Sequence, residues 1–381
     1  MKHLTLSGFT LATLAVASSA QAQSSVTLYG VIDEAVAYYN NVGHASLLEM
    51  QGSDLTSNGW GLKGKEDLGG GLQAIFKLEN GFNINTGKLS QGGREFGKNA
   101  WVGLTSDSVG TVVAGRMLDP TVDMVQPLTG DGYGPAFSTP GDADNNDNTF
   151  RVNNAVKYTS PDYNGLQYEL MYALGGVAGS VTSQQTSGAG VAYNHGNLSI
   201  AAAYVFAKND GAGGVGTADQ TQNNSVTPLS GNVAFIGSRL ISQAAVQYVF
   251  GQFTANVRYS NAQWKPGAAF AAYTRTETFN TGAATLAYLM TPQVQLDVGY
   301  TYTRSTGASS ATYNNVAAGA EYILSKRTTV YAIGGYSHAR GTTFSQDGNS
   351  IVAAGGTVGD LATSSSTPNQ LAFIIGLTTH F

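Results

Sequence analysis

The last twelve residues of the chain, QLAFIIGLTTHF (370–381), alternate apolar side chains with small or polar ones and end on an aromatic residue. The large apolar members of this stretch share one face of a strand: Leu371, Phe373, Ile375, Leu377 and Phe381. Successive side chains of a strand point to opposite faces, so this strand has one apolar face and one small or polar face. Such a terminal strand is typical of an outer-membrane β-barrel, in which the last strand pairs with the first.

The opposite end of the chain has the pattern of an export signal. A basic residue, Lys2, precedes an apolar stretch (4–16), and small residues precede an expected cleavage after Ala22. We therefore expect a signal peptide at residues 1–22, which is removed, and a single outer-membrane β-barrel domain at residues 23–381. No later stretch has the ~18 consecutive apolar residues that a membrane-spanning helix requires.

The composition favours a barrel and excludes several other classes. Charged residues make up 11% of the chain, against about 25% in an ordinary soluble domain. The net charge is −5 and no dense basic stripe occurs, which argues against a nucleic-acid partner. Cysteine is absent, so neither disulfides nor thiolate metal sites are available, and the histidines have no metal-ligand spacing. We expect no cofactor and no metal.

Alternating segments of about ten residues recur along the chain, separated by connections that are in turn short and long. Long connections run over 40–57, 118–150, 207–238 and 339–369. Tight turns at one rim and long loops at the other are typical of bacterial outer-membrane barrels. Sixteen strands are predicted, at 26–39, 58–67, 72–82, 96–106, 110–117, 151–159, 165–175, 187–194, 198–206, 239–249, 253–262, 276–289, 294–305, 311–324, 328–338 and 370–381. The predicted fold class is an all-β, transmembrane antiparallel β-barrel of about 16 strands.

The alternation also predicts which charged side chains face the lumen. It places Arg116, Arg151 and Lys157 inward, with Val152 and Val156 facing lipid. Between these strands lies a connection of more than thirty residues that contains six aspartates: Asp119, Asp123, Asp131, Asp142, Asp144 and Asp147. A loop of this length inside a compact fold is usually functional or disordered.

Several short motifs carry a resemblance to a known family. They are SSVTLYG (24–30), GLKGKEDLGGGL (61–72), Gly115-Arg116 before the long loop, RVNN (151–154), LSKRT (324–328) and the final Phe381. Taken together they span the mature chain, which resembles the general porins of beta-proteobacteria and is similar to the neisserial ones.

The resemblance implies a homotrimer of sixteen-stranded barrels, with the third extracellular loop folded into each lumen to form a charged constriction. By matched position, the basic wall of that constriction would be Lys98, Arg116 and Arg151, and the acidic loop residues would be Asp119 and Asp123. The chain departs from some relatives at Gly59, where they carry another arginine.

The expected function is passive diffusion of ions and small hydrophilic solutes through an outer-membrane channel, with outer-membrane lipid and lipopolysaccharide around the barrel. An enzyme is not expected, because no Gly-x-Ser-x-Gly elbow occurs and the GAGGVG stretch (211–216) lies in a loop without the strand and helix of a dinucleotide site. Two alternatives stay open: a solute-specific channel, and a surface adhesin or structural barrel with little conductance.

Overall fold

A computed structural model describes residues 24–209, 217–220, 236–267, 272–345, 349–361 and 364–381. The expected signal peptide and the GAGGVG stretch lie outside these residues. Within the described part of the chain, sixteen strands pair antiparallel with their neighbours and close into a barrel. The predicted fold class is confirmed.

Nineteen strands are numbered in chain order. The barrel wall is formed by β1 Ser25–Val42, β3 Gly59–Gly69, β4 Leu72–Gly81, β5 Asn99–Ser106, β6 Gly110–Met117, β7 Phe150–Thr159, β8 Leu166–Ala173, β9 Thr186–His195, β10 Leu198–Lys208, β12 Ile236–Phe250, β13 Phe253–Pro266, β14 Glu277–Thr291, β15 Val294–Thr306, β16 Ser310–Ile323, β17 Thr328–Phe344 and β19 Asn369–His380. Three shorter strands extend this wall: β2 Ala45–Gly52, β11 Ala218–Gln220 and β18 Ile351–Ala353. The segment 45–52 was expected within a loop.

The barrel closes where the first strand meets the last. Strand β1 pairs with β3 through Ser25–Val31 and with β19 through Val31–Tyr39. Gly30 and Phe381 exchange backbone hydrogen bonds of 3.1 and 3.0 Å, and the Phe381 ring covers the space that a side chain at Gly30 would occupy. The terminal aromatic residue therefore packs on the seam, because the first strand leaves a glycine-sized gap there.

The side chains of the terminal strand alternate as predicted. Phe373 and Ile375 are 47% and 50% exposed, whereas Ala372 and Ile374 are each 1% exposed. The same outer surface carries many exposed tyrosines, including Tyr163, Tyr172, Tyr248, Tyr259, Tyr300, Tyr302 and Tyr322. Apolar side chains with aromatic residues near the rims are what a lipid-facing wall requires.

Short turns and long connections lie at opposite rims of the barrel. The turn between β9 and β10 needs only Gly196 and Asn197, with Gly196 at φ 58°, which is the left-handed backbone of a tight hairpin. In outer-membrane barrels the long loops are extracellular. No helix among the described residues is long and apolar enough to cross a bilayer.

The connection between β6 and β7, which we call loop 3 (residues 118–149), folds into short helical turns. They are one π-helical turn at Thr121–Val125 and 3-10 turns at Gln126–Leu128, Gly130–Tyr133, Pro135–Phe137 and Pro140–Asp142. Gln243 and Asn256 on β12 and β13 donate hydrogen bonds to the carbonyls of Asp144 and Leu128, at 2.6 and 2.9 Å. Both wall residues alternate with lipid-exposed neighbours, so loop 3 lies inside the barrel.

One predicted orientation is wrong. Val152 was expected to face lipid but is fully buried, with 0% exposure. The register between β6 and β7 shifts after Gly115, and Asn154 adopts φ 52°. A bulge inserts one extra residue into β7 and interrupts the alternation there, so that Val152 and the neighbouring Arg151 are both buried.

Candidate functional site

The three predicted basic residues come together at the loop ends of β5, β6 and β7. Arg151 donates from Nε to the carbonyl of Lys98 at 3.1 Å, and Arg116 donates from Nε to the carbonyl of Gly97 at 2.8 Å. Lys98 donates from Nζ to the carbonyl of Ser57 at 2.8 Å. Each of the three is less than a tenth exposed. The structure thus assembles the predicted basic wall (Lys98, Arg116, Arg151) as one packed group, and its role in conduction stays a prediction.

The two predicted acidic residues are held differently. Asp119 is fully buried and accepts hydrogen bonds from the backbone and hydroxyl of Thr121 and from Asn145 Nδ2, at 2.6 to 2.8 Å. Burial raises the pKa of Asp119 above its usual range, although the bonds from Thr121 oppose this. Asp123 instead forms an ion pair with Lys157. The negative charges of both carboxyls attract Arg151. Their direct contacts are elsewhere: Asp119 bonds within loop 3, and Asp123 joins loop 3 to β7.

The site residues taken from the family match did not include two further lysines on the inner face. Lys157 lies beside Asp123 and is 3.9 Å from Glu169, and Lys77 pairs with Glu79 at 3.1 Å. The signal was available, since the lumen-facing pattern already included Lys157. The alternation pattern indicates which face of the barrel wall a residue occupies. It does not indicate how far along the barrel axis the residue lies, and so does not show which residues are close together.

A buried ion pair fastens loop 3 to the opposite side of the barrel. Arg258 Nη1 on β13 is 2.9 Å from Asp144 Oδ2, and their side chains are 3% and 1% exposed. Arg258 Nη2 also donates to Thr139 Oγ1 at 2.6 Å, and Ser260 donates to Asp144. Because both side chains are almost fully buried, the contact depends on both partners being present.

Acidic side chains also line wall strands outside the basic wall. Asp297 on β15 and Glu321 on β16 lie across the lumen from it, whereas Asp33 on β1 and Asp54 after β2 lie on its near side, next to Asn58. Asp33 accepts from the backbone of Asp54 at 2.9 Å and from the Tyr331 hydroxyl at 2.8 Å. Burial, and then the neighbouring Asp33, raise the pKa of Asp54 to about 8. The barrel wall therefore contributes acidic side chains of its own, in addition to those that the sequence analysis assigned to loop 3.

A second loop also enters the barrel. The segment 354–361 packs on loop 3 through hydrogen bonds from Gly141 to Gly359 and from Asp360 to Pro135, each 2.9 Å. Its Val358 is fully buried, and the Val358 backbone donates to Gln370 Oε1 on β19 at 2.9 Å. Nothing in the sequence analysis predicted this contact.

Carboxyl groups meet where these two loops touch. Asp147 is within hydrogen-bonding contact of Asp131 and Asp360. Burial, and then the neighbouring carboxylates, raise the pKa of Asp147 and Asp360 well above the usual range, and raise the pKa of Asp142 to about 7. The described residues contain no group of three or more acidic or histidine side chains arranged to hold a metal ion.

Gly59 is needed by the packing around Lys98. A Cβ at this position would lie 2.5 Å from the carbonyl oxygen of Asn80 and 2.9 Å from Lys98 Nζ. We expect Gly59→Ala to destabilise the barrel by about 1–3 kcal/mol, because the backbone carbonyl cannot move aside. The measurement is the temperature at which the folded form on a gel converts to the unfolded one. Gly282→Ala is the control, since no atom lies within 4 Å of its Cβ position, and equal temperatures for both variants would contradict this account.

The fold and the charged lumen define an outer-membrane β-barrel protein. The model described as "Gram-negative porin" matches residues 9–342, so the chain belongs to the Gram-negative porin family and the suspected resemblance is confirmed. The protein is located in the outer membrane.

Curated relatives agree with this assignment. An outer membrane porin protein of Bordetella pertussis is 37% identical over 171 residues, which cover 41% of this chain and 44% of the relative. Outer membrane porin protein 32 of Delftia acidovorans is 36% identical over 50% of this chain and 56% of the relative. These matches span about half the length of those two relatives. Major outer membrane protein P.IB of Neisseria gonorrhoeae is 28% identical over 87% of this chain and 92% of its own.

Solved structures show the same fold. The anion-selective porin from Comamonas acidovorans superposes with a TM-score of 0.72 at 22% identity, covering 94% of this chain and all of that one. The trimer form of OmpT from Vibrio cholerae gives a TM-score of 0.62 at 16% identity, covering 94% and 99% of the two chains.

Proposed function

We propose that the protein is a general porin, a water-filled channel through which ions and small hydrophilic solutes diffuse passively across the outer membrane. The observation that carries this proposal is the closed sixteen-strand wall with charged side chains on its inner face. Barrels of sixteen to eighteen strands are wide enough for an aqueous channel. No step requires energy input or chemistry.

Loop 3 and the segment 354–361 narrow this channel from one side and leave the basic wall on the other. Basic groups opposite Asp297 and Glu321 produce a field across the lumen, which low-dielectric walls focus at the narrow part. Such a field orients dipolar solutes and ordered water, so an apolar solute must displace that water to pass. We infer that the basic wall gives the channel a preference for anions, in keeping with the anion-selective structural relative.

Processing and assembly complete the proposal. Removal of residues 1–22 would leave a mature domain at 23–381. Three copies would form the homotrimer implied by the family and by the trimeric structural relative. Outer-membrane lipid, including lipopolysaccharide, would surround the assembly.

Liposome swelling tests the proposed activity. In vesicles that contain the purified protein, swelling rates should fall smoothly as the size of a neutral sugar increases, without saturation at high concentration. Saturation by one solute would favour a solute-specific channel, and swelling no faster than in empty vesicles would overturn the channel altogether.

The contact between the two inner loops should weaken as the pH rises. Because the pKa of Asp147 and Asp360 is raised, the docked loops bind protons that separated loops release. The protonated carboxyls therefore stabilise the docked loops fully below the ordinary aspartate pKa. This stabilisation is lost as the pH rises through the raised pKa of Asp147 and Asp360. We expect open-channel current noise to increase as the pH is raised from acid to alkaline, and Asp147→Asn to remove that increase. Asp107→Asn, in an exposed turn, is the control; the same pH response in both variants would refute the mechanism.

A further inference from the structure

Two arginines stand on the outer face of the barrel, near its extracellular rim. Arg304 on β15 and Arg340 on β17 are exposed; Arg304 lies between two buried residues of its strand, and Arg340 follows the buried Ala339. Arg304 therefore points away from the lumen, as do Tyr300 and Tyr302 below it on the same strand. Neither arginine takes part in the charged lumen that the proposed function uses.

The strand register places both arginines in one row. Arg304 pairs with Thr312 on β16, and Thr312 pairs with Arg340. Neighbouring strands are about 4.8 Å apart, so the two Cα atoms are separated by roughly 10 Å across the sheet. Lys265, exposed near the end of β13, adds a third outward cation at the same rim.

Beneath the arginines the outer surface changes from polar to aromatic. Asn314 accepts a hydrogen bond from the Tyr300 hydroxyl at 2.7 Å, and Asn369 accepts one from the Tyr336 hydroxyl at 2.8 Å. His338 lies 2.7 Å from the same Asn369 oxygen. Tyrosines with bonded hydroxyls mark the boundary between hydrocarbon and headgroups. The row of Arg304 and Arg340 is thus at headgroup level.

The row carries no carboxylate of its own. Within the described chain, neither Arg304 nor Arg340 forms an ion pair, and the acidic residues of these strands, Glu277, Asp297 and Glu321, alternate onto the inner face. Arginine binds phosphate well, because its planar fork can donate two parallel hydrogen bonds. Two exposed guanidinium groups at headgroup level therefore suit a phosphorylated lipid.

A second copy of this barrel is a less suitable partner for Arg304 and Arg340 than a phosphorylated lipid. The outward carboxylates on the described wall strands are Glu34 on β1 and Glu66 on β3. Glu66 lies close to a short turn, and Glu34 is four positions above the seam glycine, Gly30. Neither reaches the extracellular rim, so the described wall strands of another copy offer no acidic partner at the level of the arginines.

We propose that Arg304 and Arg340 bind the phosphate groups of a lipid in the outer leaflet, with its acyl chains lying along the tyrosines below. This inference rests on the proposed contact with outer-membrane lipid, and it does not depend on conductance. It assigns that contact to one face of the barrel, the rim of β15 to β17.

The test measures lipid binding to the delipidated full-length mature protein in detergent. Diphosphoryl lipid A and its dephosphorylated form are titrated against wild type, Arg304→Gln/Arg340→Gln and Arg327→Gln, an exposed arginine at the opposite rim. We expect wild type and Arg327→Gln to bind the phosphorylated lipid at least about tenfold more tightly than the dephosphorylated one. The double variant should lose that preference.

Two results would overturn the inference. One is an unchanged phosphate preference in the double variant. The other is dissociation of its oligomer into monomers, which would show that the row contacts another subunit. Conductance of the same samples separates this from the proposed function: a wild type that binds lipid but passes no current would refute the channel and leave the lipid site standing.

Discussion

Replacing Arg258 with alanine should release loop 3 from the inner wall. The substitution leaves Asp144 buried without its cation, since its Oδ2 is 2.9 Å from Arg258 Nη1 and the aspartate side chain is 1% exposed. Removing one partner of a buried pair costs about 3–5 kcal/mol. We expect chymotrypsin to cut after Phe137, which is 4% exposed in the docked loop, and the open-channel current to become noisier.

Two comparisons separate the ion pair from a general loss of folding. Asp144→Asn/Arg258→Gln removes both charges, so it should restore much of the resistance to chymotrypsin. Arg275→Ala, at an exposed position, should behave as wild type. Resistance in Arg258→Ala equal to that of wild type would show that the ion pair does not hold the loop.

Neutralising the basic wall should shift ion selectivity toward cations. One unit charge acting over about 10 Å in a water-like medium contributes roughly 0.4 kcal/mol to each ion, with opposite signs for chloride and potassium, or about a fourfold change in the chloride-to-potassium permeability ratio. Removing both charges in Lys98→Gln/Arg151→Gln should therefore lower the ratio by about sixteenfold when the two effects add. The measurement is the zero-current potential across a KCl gradient.

The control for this prediction carries the same kind of charge change away from the lumen. Lys326→Gln lies in the exposed turn between β16 and β17. It should leave the zero-current potential unchanged. Conducting channels in which Lys98→Gln/Arg151→Gln has the same potential as Lys326→Gln would remove these residues from the selectivity mechanism and leave the porin assignment intact.

The wall of the barrel was predictable because its signal is local. The alternation that predicted a strand over 294–305 corresponds to β15 at Val294–Thr306, and the terminal pattern predicted both the lipid face and closure on the first strand. These features depend on neighbouring side chains pointing to opposite faces. A bulge breaks that rule, which is why the orientation of Val152 was wrong.

The inner contacts were not predictable because they join distant parts of the chain. Asp144 and Arg258 are 114 positions apart, and no local pattern relates a loop aspartate to one inward arginine among several. Similarly, the match to the family located Lys98, Arg116 and Arg151 but did not show that Asp123 pairs with Lys157. The infolded segment 354–361 has a composition that fits an ordinary surface loop, so only its docking on Gly141 and Gln370 identifies it.

The central claim is that ions pass between loop 3 and the basic wall. The chain has no cysteine, so an introduced thiol is the only one available for labelling. Gly132 in loop 3 is exposed, and no atom lies within 4 Å of its Cβ position. Gly282 in β14 has the same free space, but it pairs with the outward-facing Tyr259 and Tyr302 and so lies on the outer face.

Single-channel current should be recorded for Gly132→Cys and Gly282→Cys while a bulky, water-soluble thiol reagent is added. We expect large openings in both variants and a stepwise fall in current in Gly132→Cys alone. A current that is unaffected in labelled Gly132→Cys, or no current from correctly folded protein, would contradict it.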